Sequence, residues 1–256
     1  MACIKCPRYF TVLALALLLP VLTLPTPLVQ AAPPNSERST PKKLGLSFKA
    51  PSRGAPSATT GGATRGGVCT AGTKALMPLV PHQKLGLTFA DRPSFFLYIP
   101  QSPNQRAEFL LLGNNDTEVV YQTTFSLPTK PGIVRFDLPE AAPSLQVGKQ
   151  YHWYVTLICD PAKGPSGNPS VEGWIERSQP NSKLAQAIKT AKPTDRPTLY
   201  AEAGVWHETV TSLVDLRRSD PTNPKLLSDW KELLKSVGLD SIAAEPISDC
   251  CIARNQ

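Results

Sequence analysis

A turn, a long half-buried strand and a cysteine, running from Leu145 to Pro161, constrain this fold more than any other stretch. Leu145, Gly148 and Tyr151 stand three residues apart. That spacing makes a recurring corner of β-sandwiches, in which the glycine permits the turn and the tyrosine hydroxyl bonds back to upstream backbone. Beyond the corner, Tyr151, Trp153, Val155, Leu157 and Cys159 share one face at a period of two. His152, Tyr154, Thr156 and Ile158 face the other way.

Seven further short apolar stretches surround this strand, at 75–80, 84–89, 94–99, 107–112, 118–125, 132–138 and 171–177. Turn residues separate them, among them Gln101 to Asn104 and Gly113 to Asp116. Strands at this spacing predict an immunoglobulin-like antiparallel β-sandwich over residues 69–178, long enough to build its own core.

After Gln179 the period changes. Leu199, Ala203, Trp206, Val210 and Leu213 make one helical stripe, opened by Pro197 and stopped by Asp220 and Pro221. A second helix starts at Asn223 and Pro224 and carries Leu226, Leu227, Trp230, Leu233, Leu234 and Val237, with Gly238 as its terminator. A shorter helix is predicted over 182–192. The predicted class is therefore α+β, a sandwich followed by a C-terminal α-helical hairpin within residues 179–256. One hairpin cannot bury both of its faces, so it should pack on the sandwich or on a partner. Trp206 and Trp230, mid-helix on the apolar stripes, are candidate docking residues.

The N-terminal third points to export. Lys5 and Arg8 precede an apolar run from Tyr9 to Leu19, and Val29, Gln30 and Ala31 offer a cleavage site for small residues. That order predicts a secretory signal over 1–31. The run is too short to cross ~30 Å of hydrocarbon, so no integral membrane segment is expected after signal removal. Residues 32–68 are rich in Pro, Ser, Thr and Gly and hold six Lys or Arg against one Glu. They are expected to form a disordered basic tether. Residues 69–256 carry 19 charges of each sign, so the net charge of +7 arises outside the folded part. A neutral body argues against a nucleic-acid partner.

Four cysteines follow the signal: Cys69, Cys159, Cys250 and Cys251. Export predicts disulfides. Cys69 opens the first strand and Cys159 closes the corner strand. If two of the strands before Cys159 act as one interrupted strand, both ends lie together and a Cys69–Cys159 bridge is predicted. The pairing of Cys250 and Cys251 stays open. These four include no Cys-x-x-Cys, and no His stands at ligand spacing from any of them, so no metal or other cofactor is expected.

The sequence holds three histidines. His82 lies in a proline-flanked loop, His152 on the outward face of a strand, and His207 on a helix, where a surface or internally satisfied role is expected. There is no G-x-S-x-G, phosphate-cradling loop or H-E-x-x-H. Glu172 and Glu176 share a strand face about 13 Å apart, too far for a paired-carboxylate site. Asn115 to Thr117 fits a glycosylation acceptor but reads better as a turn. No catalytic residue is assigned.

Several spaced motifs carry a family resemblance. They are Leu85 to Phe89, Pro93 to Pro100, Tyr151 to Tyr154 with Cys159 to Pro161, Gly173 to Arg177, Ala203 to His207, and Trp230 to Leu239. With these the chain resembles a family of exported proteins, found mainly in cyanobacteria, the domain-of-unknown-function 928 family. The resemblance spans roughly Cys69 to Cys250. It implies export, a β-then-α order and a Gram-negative-type envelope, and it carries no activity with it. The expected function is a non-enzymatic interaction or assembly module in the periplasm or outside the cell. The expected partner is an envelope protein or surface polymer. The competing reading is an envelope hydrolase acting on polysaccharide or peptide.

Overall fold

The computed structural model describes residues 45–52, 54, 73–82, 85–102, 105–159 and 168–248, which all lie in one compact unit. Among the described residues, eight strands occur where the corner strand and the seven short apolar stretches lie. They are β1 (Met77–Pro78), β2 (Leu85–Thr88), β3 (Ser94–Ile99), β4 (Arg106–Gly113), β5 (Glu118–Ser126), β6 (Gly132–Asp137), β7 (Gln150–Leu157) and β8 (Ser170–Arg177). They form a three-stranded sheet, β1-β3-β6, and a five-stranded sheet, β2-β8-β7-β4-β5. The pairings are antiparallel with one correction to the expected pattern: β2 runs parallel to β8, from Leu85 opposite Trp174 to Thr88 opposite Arg177. A parallel pair joins strands remote in sequence, so neither strand's own pattern announces it.

The two sheets enclose an aromatic-rich core. Phe95 of β3 lies 4.9 Å from Phe109 of β4 and 5.4 Å from Trp153 of β7, and Phe109 stacks on Phe136 of β6 at 4.4 Å. The corner feeding β7 has Gly148 at φ +78°, and the Tyr151 hydroxyl accepts the Gln146 N–H at 2.9 Å. Leu145 is buried beneath the corner, with its carbonyl held by the Arg177 guanidinium at 2.6 Å.

A second core lies on the other side of the three-stranded sheet. On β3, Phe95, Leu97 and Ile99 point into the first core, and Phe96 and Tyr98 into the second. Burial on both faces explains why β3 reads as an uninterrupted apolar run. Four helices follow β8: α1 (Ser182–Thr190), which buries no side chain, and α2 (Arg196–Glu202), α3 (Trp206–Ser219) and α4 (Pro224–Ser236), which cover this core. Asn223 caps α4 by accepting the Lys225 and Leu226 N–H groups. Gly238, at φ +76°, ends that helix. The boundary expected at 178/179 does not separate two cores, because α2 to α4 share theirs with Phe96, Tyr98 and Ile133 of the sheet.

The long first helix of the expected hairpin is two helices. Gly204, at φ +73°, breaks the chain between α2 and α3. A Cβ there would lie 2.9 Å from the Lys49 carbonyl oxygen, so the break also admits another segment. That segment corrects part of the expected tether. Leu46 and Phe48 are buried in the second core. The Phe48 N–H donates to Ser236 Oγ at 3.1 Å, and the Lys49 N–H to the Ala201 carbonyl at 3.1 Å. Two apolar side chains two residues apart suffice to dock a short extended stretch, although the composition around them is that of a linker. The signal at 1–31, the remaining tether and Cys69, Cys250 and Cys251 lie outside the described residues.

Candidate functional site

Three places on the fold gather the residues that could carry chemistry or recognition. The first is the outer face of the five-stranded sheet. Register sets His152 of β7 opposite Trp174 of β8, and Tyr154 opposite Glu172. The turn from β4 to β5 brings a third member. Asn114, Asn115 and Asp116 have φ of 47°, 55° and 69°, a left-handed run that Asn and Asp tolerate better than other residues with side chains. This turn carries Asp116 to His152, with both carboxylate oxygens 3.0–3.1 Å from Nδ1. A carboxylate only accepts, so Nδ1 carries the proton there. The Tyr154 hydroxyl lies 3.0 Å from the same nitrogen, and Glu172 Oε2 lies 3.6 Å from Nε2.

The sequence places His152 outward, and so it is, yet it is only 3 % exposed. Trp174 stacks on its ring at 4.2 Å and 15°, and Tyr154 covers another side at 4.3 Å. Burial, then the charges of Asp116 and Glu172, push the Tyr154 phenol up to about 12. An imidazole covered in this way cannot touch a substrate unless Trp174 moves. The arrangement pins the β4–β5 turn to the sheet. Sequence alternation finds His152 and Tyr154 but not their cover, which comes from a neighbouring strand and a distant turn.

The second place is the start of α3. The His207 Nδ1–H donates to the Ser94 carbonyl at 2.8 Å, because a carbonyl requires a donor. Its Nε2 faces Gly86, where a Cβ would lie 2.6 Å away. Burial pushes the His207 pKa down to about 4, with the Ser94 bond acting in the opposite sense. The Glu208 carboxylate accepts from Thr88 Oγ1 at 2.8 Å and from the Phe89 and Ala90 N–H groups at 3.0 and 2.9 Å. Burial raises its pKa, and these bonds pull it back. Neighbours in sequence, His207 and Glu208 clasp β3 and the end of β2 respectively. They act as fasteners between α3 and the sheets.

Trp206 and Trp230 require a correction as candidate docking residues. They are 1 % and 0 % exposed and lie in the second core. Trp206 Nε1–H donates to the Leu79 carbonyl at 2.7 Å, and the Arg217 guanidinium sits 5.0 Å over the Trp230 ring. A helical stripe marks the buried side, and here it is buried within the same chain. Cys159 is half-buried against the first core, with its N–H donating to Asn168 Oδ1 at 2.9 Å.

The third place is an open cavity of about 670 Å3 between the β4–β5 turn and the tyrosine corner. Gly113, Asn115, Val119, Ser144, Gln146 and Tyr151 are among its lining. Val119, 61 % exposed, and Val147, 46 % exposed, are the exposed large hydrophobic residues among those described. Val119 lines the cavity, and Val147 lies between two residues that do. Sequence reasoning missed both. The one signal was a lone valine inside a turn motif, between Gln146 and Gly148.

Among the described residues no group of three His, Cys, Asp or Glu side chains is placed to hold a metal ion. No described helix is long and apolar enough to cross a membrane. No curated protein matches the chain. The family model described as Domain of Unknown Function (DUF928) matches residues 60–247, which take in both sheets and all four helices. The chain belongs to the DUF928 family.

Proposed function

We propose that this chain is an exported envelope protein, periplasmic or secreted, whose body is a non-enzymatic interaction or assembly module. The observation that carries the reading is the placement of its exposed apolar groups. Val119 and Val147 flank one open groove, while Trp206, Trp230, His152 and His207 are all under 5 % exposed. Exposed apolar side chains gathered at one spot mark recognition surfaces more often than scattered ones do. The partner is an envelope protein or surface polymer of the cyanobacterial type of envelope that the family resemblance implies.

We read the two sheets as an immunoglobulin-like sandwich. In that fold one sheet places the corner-bearing strand between two neighbours, as β7 lies between β4 and β8, and the other sheet pairs the strands that β3 and β6 represent. α3 and α4, joined by residues 220–223, are the helical hairpin. Export calls for cleavage after Ala31, within a residue, and for a disulfide between Cys69 and Cys159. N-terminal sequencing and non-reducing peptide mapping of the exported chain read both. An intact Met1, or Cys69 joined to Cys250 or Cys251, would overturn the respective assignment.

The module reading is tested by affinity capture from the chain's own envelope fraction. The Val119→Asp, Val147→Asp double variant should melt within a few degrees of wild type, since surface changes rarely exceed ~0.5 kcal/mol each. It should also lose the captured partner. Equal capture by the folded variant would move the recognition surface away from this groove.

A further inference from the structure

The edges of the two sheets are not treated alike. β1 has two residues, one of them Pro78. β6 is bridged at Ile133 by Ile247, with the Ser248 N–H donating to the Ile133 carbonyl at 2.8 Å. β2 is four residues long, and Glu208 clasps the chain at its end. β5 is the outer strand of the five-stranded sheet and runs for nine residues, with one charge, Glu118, and no proline. Among the described residues no strand pairs with its outer side. Natural sheets blunt such edges with charge, proline, shortness or cover.

The backbone of β5 is oriented for pairing. The Leu127 N–H donates to the Gln105 carbonyl at 2.8 Å. Backbone groups alternate along an antiparallel strand, so the odd-numbered residues bond towards β4, and the N–H and C=O of Gln122 and Thr124 face away. A register shift opposite Leu111 and Leu112 leaves Val120 as a bulge, so the regular stretch starts at Tyr121.

We propose that this edge pairs with β5 of a second copy of the chain, antiparallel about a two-fold axis at Thr123. Gln122 then lies opposite Thr124 of the second copy, and the two symmetric pairs exchange about four main-chain hydrogen bonds. The charge pattern favours this partner and direction. The single Glu118 sits at one end of β5, so antiparallel pairing sets the two carboxylates at opposite ends. The inference rests on the interaction-module reading and names one partner for it.

Sedimentation equilibrium of the mature chain tests it, with Thr124→Pro as the variant. Proline there removes an outward N–H that β4 does not use, a position edge strands tolerate. The wild type should sediment at twice the monomer mass. The variant's dimer should weaken about tenfold or more, with its melting temperature within a few degrees of wild type. A second variant, Thr123→Cys, places two thiols face to face at the axis, where Cα atoms lie about 4.5 Å apart, close enough for a disulfide. It should form an interchain disulfide above the wild-type background. A monomeric wild type, a Thr124→Pro dimer as tight as wild type, or no added cross-link in Thr123→Cys each overturns the proposal. A monomer that still captures an envelope partner through Val119 and Val147 leaves the module reading standing. A wild-type dimer that captures no envelope partner counts against the module reading alone.

Discussion

Trp206→Ala should cost about 3–5 kcal/mol, the usual range for deleting a large aromatic side chain from a packed core. For a body of this size that lowers the melting temperature by roughly 6–20 °C. The burial of Trp206 and two contacts argue for the upper half of the range. The indole is 1 % exposed, its N–H bonds the Leu79 carbonyl at 2.7 Å, and Phe48 meets it edge-on at 4.9 Å. Truncation leaves a cavity and strands that carbonyl without its donor. Trp230→Ala loses a comparable volume but no such bond, so it should cost somewhat less. Circular dichroism melts of both variants check this. If either variant kept the wild-type melting temperature, its tryptophan would be a surface residue and the second core would be wrongly drawn.

Acid should destabilise the chain through His207. Its pKa in the folded state is held down at about 4, against an ordinary 6.5 in the unfolded chain. Between those values the unfolded chain binds a proton that the folded chain refuses, so stability falls as pH drops through this window. Below about pH 4 the folded ring is protonated too, and the loss levels off. The full span is on the order of 3 kcal/mol. Glu208 works in the opposite sense, because its raised pKa stabilises at low pH and loses that contribution as pH rises. His207→Gln separates the two, since glutamine can donate to the Ser94 carbonyl and does not titrate. Urea unfolding at pH 7, 5.5 and 4 should show the wild type losing about 3 kcal/mol relative to the variant. Parallel curves would mean that His207 is not held neutral.

What could be read in advance divides along the range of the forces involved. The strands and the corner at Leu145, Gly148 and Tyr151 are local: short apolar stretches, period two in the corner strand, and turn residues mark them. The helical stripes are local too, and they identify the buried sides of α3 and α4. Gly204 is the instructive failure. Leu199, Ala203, Trp206, Val210 and Leu213 keep helical spacing across it, and a lone glycine inside a helix is tolerated. Only the approach of the Lys49 carbonyl shows why the chain turns left-handed there. Leu46 and Phe48 stand two residues apart within a stretch whose composition is that of a linker, so composition hides their docking. The parallel pairing of β2 with β8, and the cover that Trp174 and Asp116 give His152, join segments far apart in sequence. Val119 stands out in no pattern, and Val147 only as a lone valine in a turn motif, since an exposed valine differs from a buried one only by what does not pack on it.

The reassignment of both tryptophans, the docked segment at Leu46 and Phe48, and the groove as the recognition surface share one premise. β3 belongs to two cores at once, so the helices are part of the body and not an arm held out to a partner. Native-state hydrogen exchange tests that premise most directly, by comparing amides of α3 and α4 with those of β3 and β7. The account predicts that the slowest amides of both groups open with the same free energy and respond equally to added denaturant, as one cooperative unit does. If α3 and α4 exchanged through a separate, lower-energy opening while β3 and β7 stayed protected, the helices would be a detachable layer and the account would be contradicted.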